Sequence, residues 1–153
     1  MRGGADVRQI RNESNKMRNE LLVIEDTNLH LSIVSRIAAQ ANFTTTGASS
    51  VSEATRLLHE RSFDCITLDL SLGEESGIEV LKLLAGMKCR TPIIVISGSG
   101  DEAREETLKI GNFLDLNLCQ PIPKPINLAV LRNALTQIAN DTTRQKLAAP
   151  VGW

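Results

Sequence analysis

The stretch FDCITLDLSLGEESGIEVLKLL, at residues 63–84, decides the fold because it places a strand signal directly before a helix signal. The apolar and β-branched run from Phe63 to Leu68 has the length of a buried strand and ends at Asp69. Ser76 and Glu79 then match a capping-box pattern, after which leucines recur at helical spacing. A strand followed by an amphipathic helix is the unit from which α/β folds are built.

The same unit recurs on both sides of this stretch, so that strand and helix signals alternate five times. Continuous apolar strands between amphipathic helices predict a parallel sheet covered on both faces, and right-handed crossovers make it a doubly wound α/β fold. The other predicted strands are residues 21–24, 43–46, 93–96 and 116–119. The other predicted helices are residues 27–41, a helix capped by Ser50, a helix from Asp101 to about Leu114, and a helix capped by Asn127.

Composition narrows the class of protein before any site is considered. The chain has 153 residues, of which 42% are hydrophobic and 23% are charged, as is typical of one globular domain. Its net charge of -1 argues against nucleic-acid binding through bulk charge, and no apolar run approaches the ~20 residues that span a membrane. Cys65, Cys89 and Cys119 lie far apart, so we predict reduced thiols in a cytoplasmic protein.

The two ends of the chain differ from the middle. Residues 1–19 carry five Lys or Arg against two acidic residues and few apolar positions, which favours a mobile arm over a short partner-binding helix. Residues 141–153 could extend the last helix to about Leu147, before Pro150. We therefore divide the chain into an N-terminal arm (1–19), a globular domain (20–140) and a C-terminal tail (141–153).

Polar side chains follow four of the five predicted strands. Glu25 and Asp26 end the first strand, Asp69 ends the third, Ser97 ends the fourth, and Lys124 follows the fifth. In doubly wound sheets the functional site lies beyond these carboxyl ends. Three carboxylates at one edge repel each other unless a hard cation such as Mg²⁺ neutralises them. With a lysine and a hydroxyl beside them, they suit a phosphoryl transfer in which the central aspartate is the nucleophile.

Each of these elements also has an ordinary structural explanation. The acidic pair 25–26 could mark a helix N-terminus, Asp69 could be a turn residue, and segment 97–100 could be a flexible loop. Their joint position at the carboxyl ends of the expected strands favours a functional site. His30 and His59 lie on predicted helices without a second ligand at metal-binding spacing, so we interpret each as a solvated or N-terminal helix residue.

Four motifs connect the chain to a known family: LLVIED (21–26), ITLDLSLGEESGIEVL (66–81), IIVISGSG (93–100) and IPKP (122–125). Together they resemble the receiver domain of bacterial two-component response regulators, over about residues 20–139. The resemblance implies a flavodoxin-like (βα)5 fold with strand order 2-1-3-4-5. Because no output domain follows in the sequence, we expect a single-domain response regulator that signals by protein–protein contact.

The resemblance also implies roles for the residues at the strand ends. Asp69 would accept a phosphoryl group from a sensor histidine kinase or a phosphotransfer protein, in a Mg²⁺-dependent reaction. Asp69, Asp26 and the main-chain carbonyl of Ser71 would hold the ion directly, and Glu25 would act through water. Lys124 would pair with the phosphoryl oxygens.

The expected switch departs from the commonest family pattern. Ser97 would turn toward the phosphoryl group after transfer. Most receivers have an aromatic residue three positions before the lysine, but here Pro121 takes that place and the nearest preceding glycine is Gly111. The resemblance therefore implies that the fourth helix continues through Phe113. The switch would then move this helix or the segment 119–125.

Three other functions share part of this pattern. A haloacid-dehalogenase-type phosphohydrolase needs a second aspartate where this chain has Ser71. A flavodoxin-like flavin carrier is disfavoured by the absence of Tyr and of a Ser/Thr-rich loop after the first strand. A receiver-like interaction module that is never phosphorylated is the main alternative. As a response regulator the protein would catalyse only its own phosphorylation and dephosphorylation, so we expect no further enzymatic activity.

A receiver without an output domain must signal through its own surface. The candidate face consists of the fourth helix, fifth strand and fifth helix. Ser97 and Lys124, which would contact the phosphoryl group, lie on that side of the domain. Phe113, Leu116 and Trp153 are the apolar anchors available there. We therefore expect a homodimer or a partner-bound form on this face, with one of the terminal arms contributing. Neither nucleic acid nor a membrane is expected as a partner.

Overall fold

The computed structural model describes residues 18–72, 75–98 and 101–148 of the chain. Strands and helices alternate along it. The strands are β1 (Asn19–Ile24), β2 (Phe43–Ala48), β3 (Cys65–Asp69), β4 (Ile93–Ser97) and β5 (Ile122–Pro123). The helices are α1 (Asn28–Gln40), α2 (Val51–Glu60), α3 (Gly77–Gly86), α4 (Asp101–Phe113) and α5 (Leu128–Ala148). A small antiparallel hairpin, Ser71–Leu72 with Glu75–Ser76, lies between β3 and α3.

The five strands form one parallel sheet in the order β2-β1-β3-β4-β5. This confirms the predicted doubly wound α/β fold and the strand order that the resemblance implies. β3 lies at the centre, between β1 and β4. Ile24 is opposite Leu68, and Asp69 is opposite Ile96, so β1, β3 and β4 end at the same edge of the sheet.

Side chains that alternate along the strands build two apolar layers. Leu21 and Val23 of β1 pack with residues of α1 and α5, whereas Leu22 and Ile24 pack with residues of α2 and α3. Because helices cover both faces, all five residues of β3 are buried, and its one charged residue is Asp69. The buried central strand β3 therefore ends in a carboxylate at the carboxyl edge of the sheet.

Helix caps follow the sequence pattern closely. Backbone amides in the first turns of α2, α3 and α5 donate to the predicted caps Ser50, Ser76 and Asn127. At α1 the cap is Thr27, which the sequence predicts as the first helical residue, and its hydroxyl accepts a hydrogen bond from the amide of His30. The side chain of Asp101, the predicted cap of α4, lies outside the described part of the chain.

The fifth strand lies further along the chain than predicted. Sequence analysis placed it at residues 116–119, but regular pairing with β4 occurs at Ile122–Pro123. Among the four residues predicted, all of which the structure describes, Leu118 alone bridges to β4, at Ile93. Leu118 pairs with Ile93, and the first residue of β5, Ile122, pairs with Ile96. Between these two contacts the chain advances four residues before β5 but only three along β4. An extra residue must be accommodated between the two contacts, and Pro121 has no N–H to donate to the sheet.

The last two helices have the extents expected. α4 continues through Asn112 and Phe113, and α5 continues past Asn140 to Ala148, so the described part of the tail is helical. Residues 1–17 of the predicted arm lie outside the described residues. Within the described ranges, the structure contains no helix with the length and apolar character needed to cross a membrane.

Candidate functional site

The polar residues predicted to form a site come together at the carboxyl edge of the sheet. Asp69 is the last residue of β3, Ser97 is the last residue of β4, Glu25 follows β1, and Lys124 follows β5. Glu25 and Asp69 are only 6% and 3% exposed, and Ser97 is also buried. Parallel neighbouring strands end at one edge, so four separate strands each contribute one of these side chains.

Asp69 is held between two hydrogen-bond donors. Its Oδ2 accepts a 2.7 Å hydrogen bond from Nζ of Lys124, and its Oδ1 accepts a 2.9 Å hydrogen bond from the main-chain N–H of Ser71. The main-chain N–H of Lys124 donates to the carbonyl of Ser97 at 2.9 Å, which anchors the end of β5 to β4. Charge-assisted hydrogen bonds are short and strong, so this arrangement fixes the Asp69 carboxylate in one orientation.

Glu25 faces Asp69 and is also bound by the turn that follows it. Its Oε1 accepts hydrogen bonds from the main-chain N–H of Thr27, at 3.1 Å, and from the Thr27 hydroxyl, at 2.9 Å. Burial raises the pKa of Glu25, and the contact with the Asp69 carboxyl group raises this pKa further, while the Thr27 hydrogen bonds lower it. Lys124 supplies one positive charge beside these two acidic groups, and their carboxylate oxygens are ligands that a divalent cation such as Mg²⁺ also prefers.

His30 also belongs to this site, which sequence analysis did not predict. Its Nδ1 lies 3.5 Å from Oε1 of Glu25, and ligand atoms of Glu25, His30 and Asp69 all lie within 4.8 Å of one another. His30 lies in the first turn of α1, as predicted, and its neighbours Glu25 and Asp69 come from other elements, which spacing along the chain cannot reveal. The available signal was Thr27, whose cap places His30 in the first turn of α1, beside the end of β1.

Two residues predicted as metal ligands have a looser relation to this group. Asp26 is exposed directly after Glu25, and it lies outside the compact group that Glu25, His30 and Asp69 form in the described part of the chain. Ser71 is exposed, and its main-chain N–H is bound to Asp69. The direct ligand roles of Asp26 and of the Ser71 carbonyl stay predictions, as does the water-mediated role of Glu25.

Two glycines lie beside the site, and one of them lets the backbone approach closely. A Cβ on Gly77 would lie 2.7 Å from Cα of Leu70 and 3.0 Å from the carbonyl oxygen of Asp69, so α3 can begin here because Gly77 has no side chain. A Cβ on Gly98 would lie 3.7 Å from Cδ of Lys124. That is an ordinary van der Waals distance, so this contact does not require glycine at residue 98.

The sheet order and the lysine-paired aspartate at the end of the central strand define a class of protein, and comparison with known families agrees. The family model of the response regulator receiver domain matches residues 21–136. The chain therefore belongs to the response regulator receiver domain family, as its four motifs suggested.

Two curated relatives match parts of this chain. The chain is 33% identical over 112 residues to the regulatory protein VirG of Agrobacterium tumefaciens, which covers 73% of this chain and 40% of that protein. It is 35% identical over 86 residues to the transcriptional regulatory protein SrrA of Staphylococcus aureus, covering 56% of this chain and 35% of that protein. The chain thus spans about two fifths or less of the length of these curated relatives.

A solved structure shows the same fold. The receiver domain of the Francisella response regulator 1452 matches with a TM-score of 0.71 and 23% sequence identity. The match covers 82% of this chain and 99% of that one. Strand order, site position and family membership therefore agree on a receiver fold.

Proposed function

We propose that the protein is a cytoplasmic response regulator whose Asp69 accepts a phosphoryl group from a sensor histidine kinase or a phosphotransfer protein. The position of Asp69 carries this proposal: it is a buried carboxylate at the end of the central strand, hydrogen-bonded to Lys124 and with a ligand atom of Glu25 within 4.8 Å. Burying neighbouring carboxylates is costly, so such a pair suits a functional site. Membership of the receiver family favours phosphoryl acceptance as that function.

The proposed reaction is an in-line transfer from a phosphorylated imidazole nitrogen to Asp69. One carboxylate oxygen of Asp69 forms a bond to phosphorus, the bond from phosphorus to nitrogen breaks, and the donor histidine keeps the electron pair. Lys124 would stabilise the charge on the phosphoryl oxygens, because its ammonium group already lies 2.7 Å from the Asp69 carboxylate. The Ser97 hydroxyl, buried at the end of β4, would then donate to a phosphoryl oxygen.

Magnesium fits the acidic edge of the sheet because carboxylate oxygens are ligands that it prefers. We propose that Asp69, Asp26 and the carbonyl of Ser71 hold the ion and that Glu25 acts through water. When bound, the ion would neutralise charge on the transferring phosphoryl group. The closeness of Glu25 and Asp69 supports a cation at this edge, because Lys124 supplies only a single positive charge beside the two acidic groups.

The partner that delivers the phosphoryl group must reach Asp69 past α1 and the segment after β5. A recess of about 320 Å³ beside the site offers a docking surface, and it is lined by His30, Ile33, Lys124, Pro125, Ile126 and Leu128. Leu29, in the first turn of α1, is 68% exposed. Apolar side chains around a charged centre suit an amphipathic helix of a histidine kinase or phosphotransfer protein.

We further propose that phosphorylation is transmitted through the face of α4, β5 and α5, to a second copy or to another protein. Phe113, at the end of α4, is 88% exposed and is the strongest apolar anchor on this face. With Ile78 and Ile110 it lines a recess between α3 and α4 of about 580 Å³, so the contact would extend toward α3. Beyond its own phosphorylation and dephosphorylation we propose no enzymatic activity.

Phosphoryl incorporation from acetyl phosphate, followed by intact mass with and without Mg²⁺, tests the proposed function. Wild-type protein should gain one phosphoryl group when Mg²⁺ is present, and the Asp69→Asn variant should gain none. Asp115→Asn is a matched control because it removes an exposed carboxylate, paired with Arg90 at 3.4 Å, and it should behave like wild type.

Labelling of Asp69→Asn at another residue would contradict the site. If folded wild-type protein took no phosphoryl group from acetyl phosphate or from a phosphorylated histidine protein, the unphosphorylated interaction module would be the better assignment.

A further inference from the structure

A cavity of about 500 Å³ lies at the amino edge of the sheet, at the opposite end of the domain from Asp69. One of its walls is formed by residues 63–64 and 90–92, which directly precede β3 and β4. The other wall is one face of α5, which carries Ile138, Asp141, Thr142 and Gln145. Cavities of this size are typical of sites for small molecules.

Contacts within the chain hold the two walls of this cavity together. Nζ of Lys146, near the end of α5, lies 3.5 Å from Oδ1 of Asp64 and 3.2 Å from Oδ1 of Asn19. Oδ2 of Asp64 accepts a 2.8 Å hydrogen bond from the main-chain N–H of Glu20. The cavity therefore does not depend on a ligand, and both carboxylate oxygens of Asp64 are already engaged by the protein.

Two opposite charges in the lining stay available to a ligand. Oδ1 of Asp141 accepts a 3.2 Å hydrogen bond from the side-chain amide of Gln137, and within residues 18–72, 75–98 and 101–148 no basic side chain pairs with this carboxylate. On the other wall, Arg90 lies 3.4 Å from Asp115, and these two side chains are 78% and 83% exposed. Such an exposed pair contributes little to stability, so a ligand carboxylate can replace Asp115 at small cost.

The lining also contains apolar surface on both walls. Phe63 and Ile138 are only 7% and 8% exposed, and Pro92 is partly buried. Ligand sites combine such apolar side chains with a few charged groups that fix the orientation of the ligand. A carboxylate, a guanidinium group and apolar side chains together suit a ligand that carries an ammonium group, a carboxylate and an apolar side chain.

We propose that this cavity binds a small zwitterion of the α-amino-acid class with an apolar side chain. Asp141 would receive the ammonium group, and Arg90 would bind the carboxylate, for which the guanidinium fork is well suited. Phe63, Pro92 and Ile138 would contact the apolar side chain. The site lies away from Asp69, and binding of the zwitterion requires no phosphoryl transfer.

The test titrates the full chain with L-leucine and with two analogues that each lack one charge. Isopentylamine lacks the carboxylate, and isocaproate lacks the ammonium group. Backbone amide NMR shifts should saturate with leucine at residues 63–64, 90–91 and 138–145. Leucine should bind about tenfold or more tightly than either analogue, because each analogue loses a charge-assisted hydrogen bond.

Substitution of either charged residue tests the same assignment from the side of the protein. Asp141→Asn and Arg90→Gln should each weaken leucine binding about tenfold, and both should fold because the two side chains are exposed. Glu60→Gln and Arg56→Gln are the matched controls, since they remove the charges of an exposed ion pair on α2 and should bind leucine like wild type.

Three results would overturn the proposal. The first is the absence of saturable shifts at the amino edge with millimolar leucine. The second is equal affinity of wild type for leucine and either analogue, because one charged group would then contribute nothing. The third is unchanged leucine affinity in Asp141→Asn or Arg90→Gln. None of these measurements depends on labelling of Asp69, so this proposal and the proposed function fail separately.

Discussion

Nζ of Lys124 lies 2.7 Å from Oδ2 of Asp69, which joins the residue after β5 to the last residue of β3 across the intervening strand β4. The bond connects the buried acid of the site to the segment 119–125, which the resemblance implies as the moving part of the switch, with α4 as the alternative. A phosphoryl group on Asp69 would change the acceptor that Lys124 contacts. The lysine is therefore the residue through which the chemistry of the site would reach β5 and the face beside it.

Removing the lysine should leave the buried Asp69 carboxylate without its cation. Lys124→Met should lower the free energy of unfolding by about 1–3 kcal/mol, since the lysine is partly exposed and solvent screens part of the pair. Urea denaturation of wild type, Lys124→Met, Asp69→Asn and the double variant measures the coupling. In the Asp69→Asn background the same lysine substitution should cost less. Equal losses in the two backgrounds would show that the pair adds no stability.

The burial of Glu25 beside Asp69 predicts pH-dependent stability in metal-free protein. The folded-state pKa of Glu25 is raised above its ordinary value of 4.5, mainly by burial, so the folded protein binds this proton more tightly than the unfolded chain. The resulting stabilisation is complete below about pH 4.5 and is lost as pH rises through the raised pKa. Wild type should therefore lose stability relative to Glu25→Gln as pH increases.

Urea denaturation with a chelator, from about pH 4 to about pH 8, measures this difference. Glu60→Gln is a suitable control because Glu60 is exposed and paired with Arg56 at 3.1 Å, so its difference from wild type should stay nearly constant. A constant difference for Glu25→Gln as well would contradict the raised pKa.

The close approach of Gly111 to Leu118 indicates that α4 packs tightly on the segment before β5. A Cβ at residue 111 would lie 2.6 Å from Cγ of Leu118. Gly111→Ala should lower the free energy of unfolding by about 1–3 kcal/mol, because the overlap outweighs the ~1 kcal/mol by which alanine favours a helix. Chemical denaturation checks this, and adding Leu118→Ala should recover part of the loss from the overlap.

Gly86→Ala provides the matched comparison, because no atom lies within 4 Å of an added Cβ at the end of α3. That substitution should be neutral or stabilising by up to about 1 kcal/mol. Stabilisation by Gly111→Ala of the same size would show that α4 does not pack on Leu118 in this way.

Because the ring of Phe113 is exposed, we expect the end of α4 to form part of the signalling surface. Phe113→Ser should weaken self-association in the presence of a phosphoryl mimic while leaving folding intact, because the side chain is 88% exposed. Sedimentation velocity with and without beryllofluoride tests this, and a chain ending at Asn140 tests the contribution of the tail. Leu147→Ser removes one exposed apolar side chain near the end of α5 and keeps the helix. Comparing it with the shortened chain shows whether that side chain or the whole end of the helix contributes to association. Wild type that stays monomeric at high concentration in both states would leave a different protein as the partner.

The alternation of strands and helices could be predicted because each signal lies within a few residues. Apolar runs such as the one ending at Asp69 exclude water on both sides of a sheet, and caps such as Ser50 and Asn127 bind amides in the next turn. Once the strands are parallel and the crossovers right-handed, the acids and the lysine at the strand ends must share one edge. The position of the site therefore followed from local sequence and general rules of topology.

Contacts between distant segments were decided by the tertiary structure. The length of β5 depends on how residues 118–123 fit against β4, where Pro121 and one extra residue interrupt the pairing, and no apolar pattern encodes that fit. The place of His30 depends on how α1 packs against β1 and β2, which brings its imidazole close to Glu25 and Asp69. Strand and helix signals act over a few residues, whereas these side-chain positions result from packing across the whole sheet. The sequence by itself thus determined the fold and the edge that carries the site, and packing decided which side chains meet there.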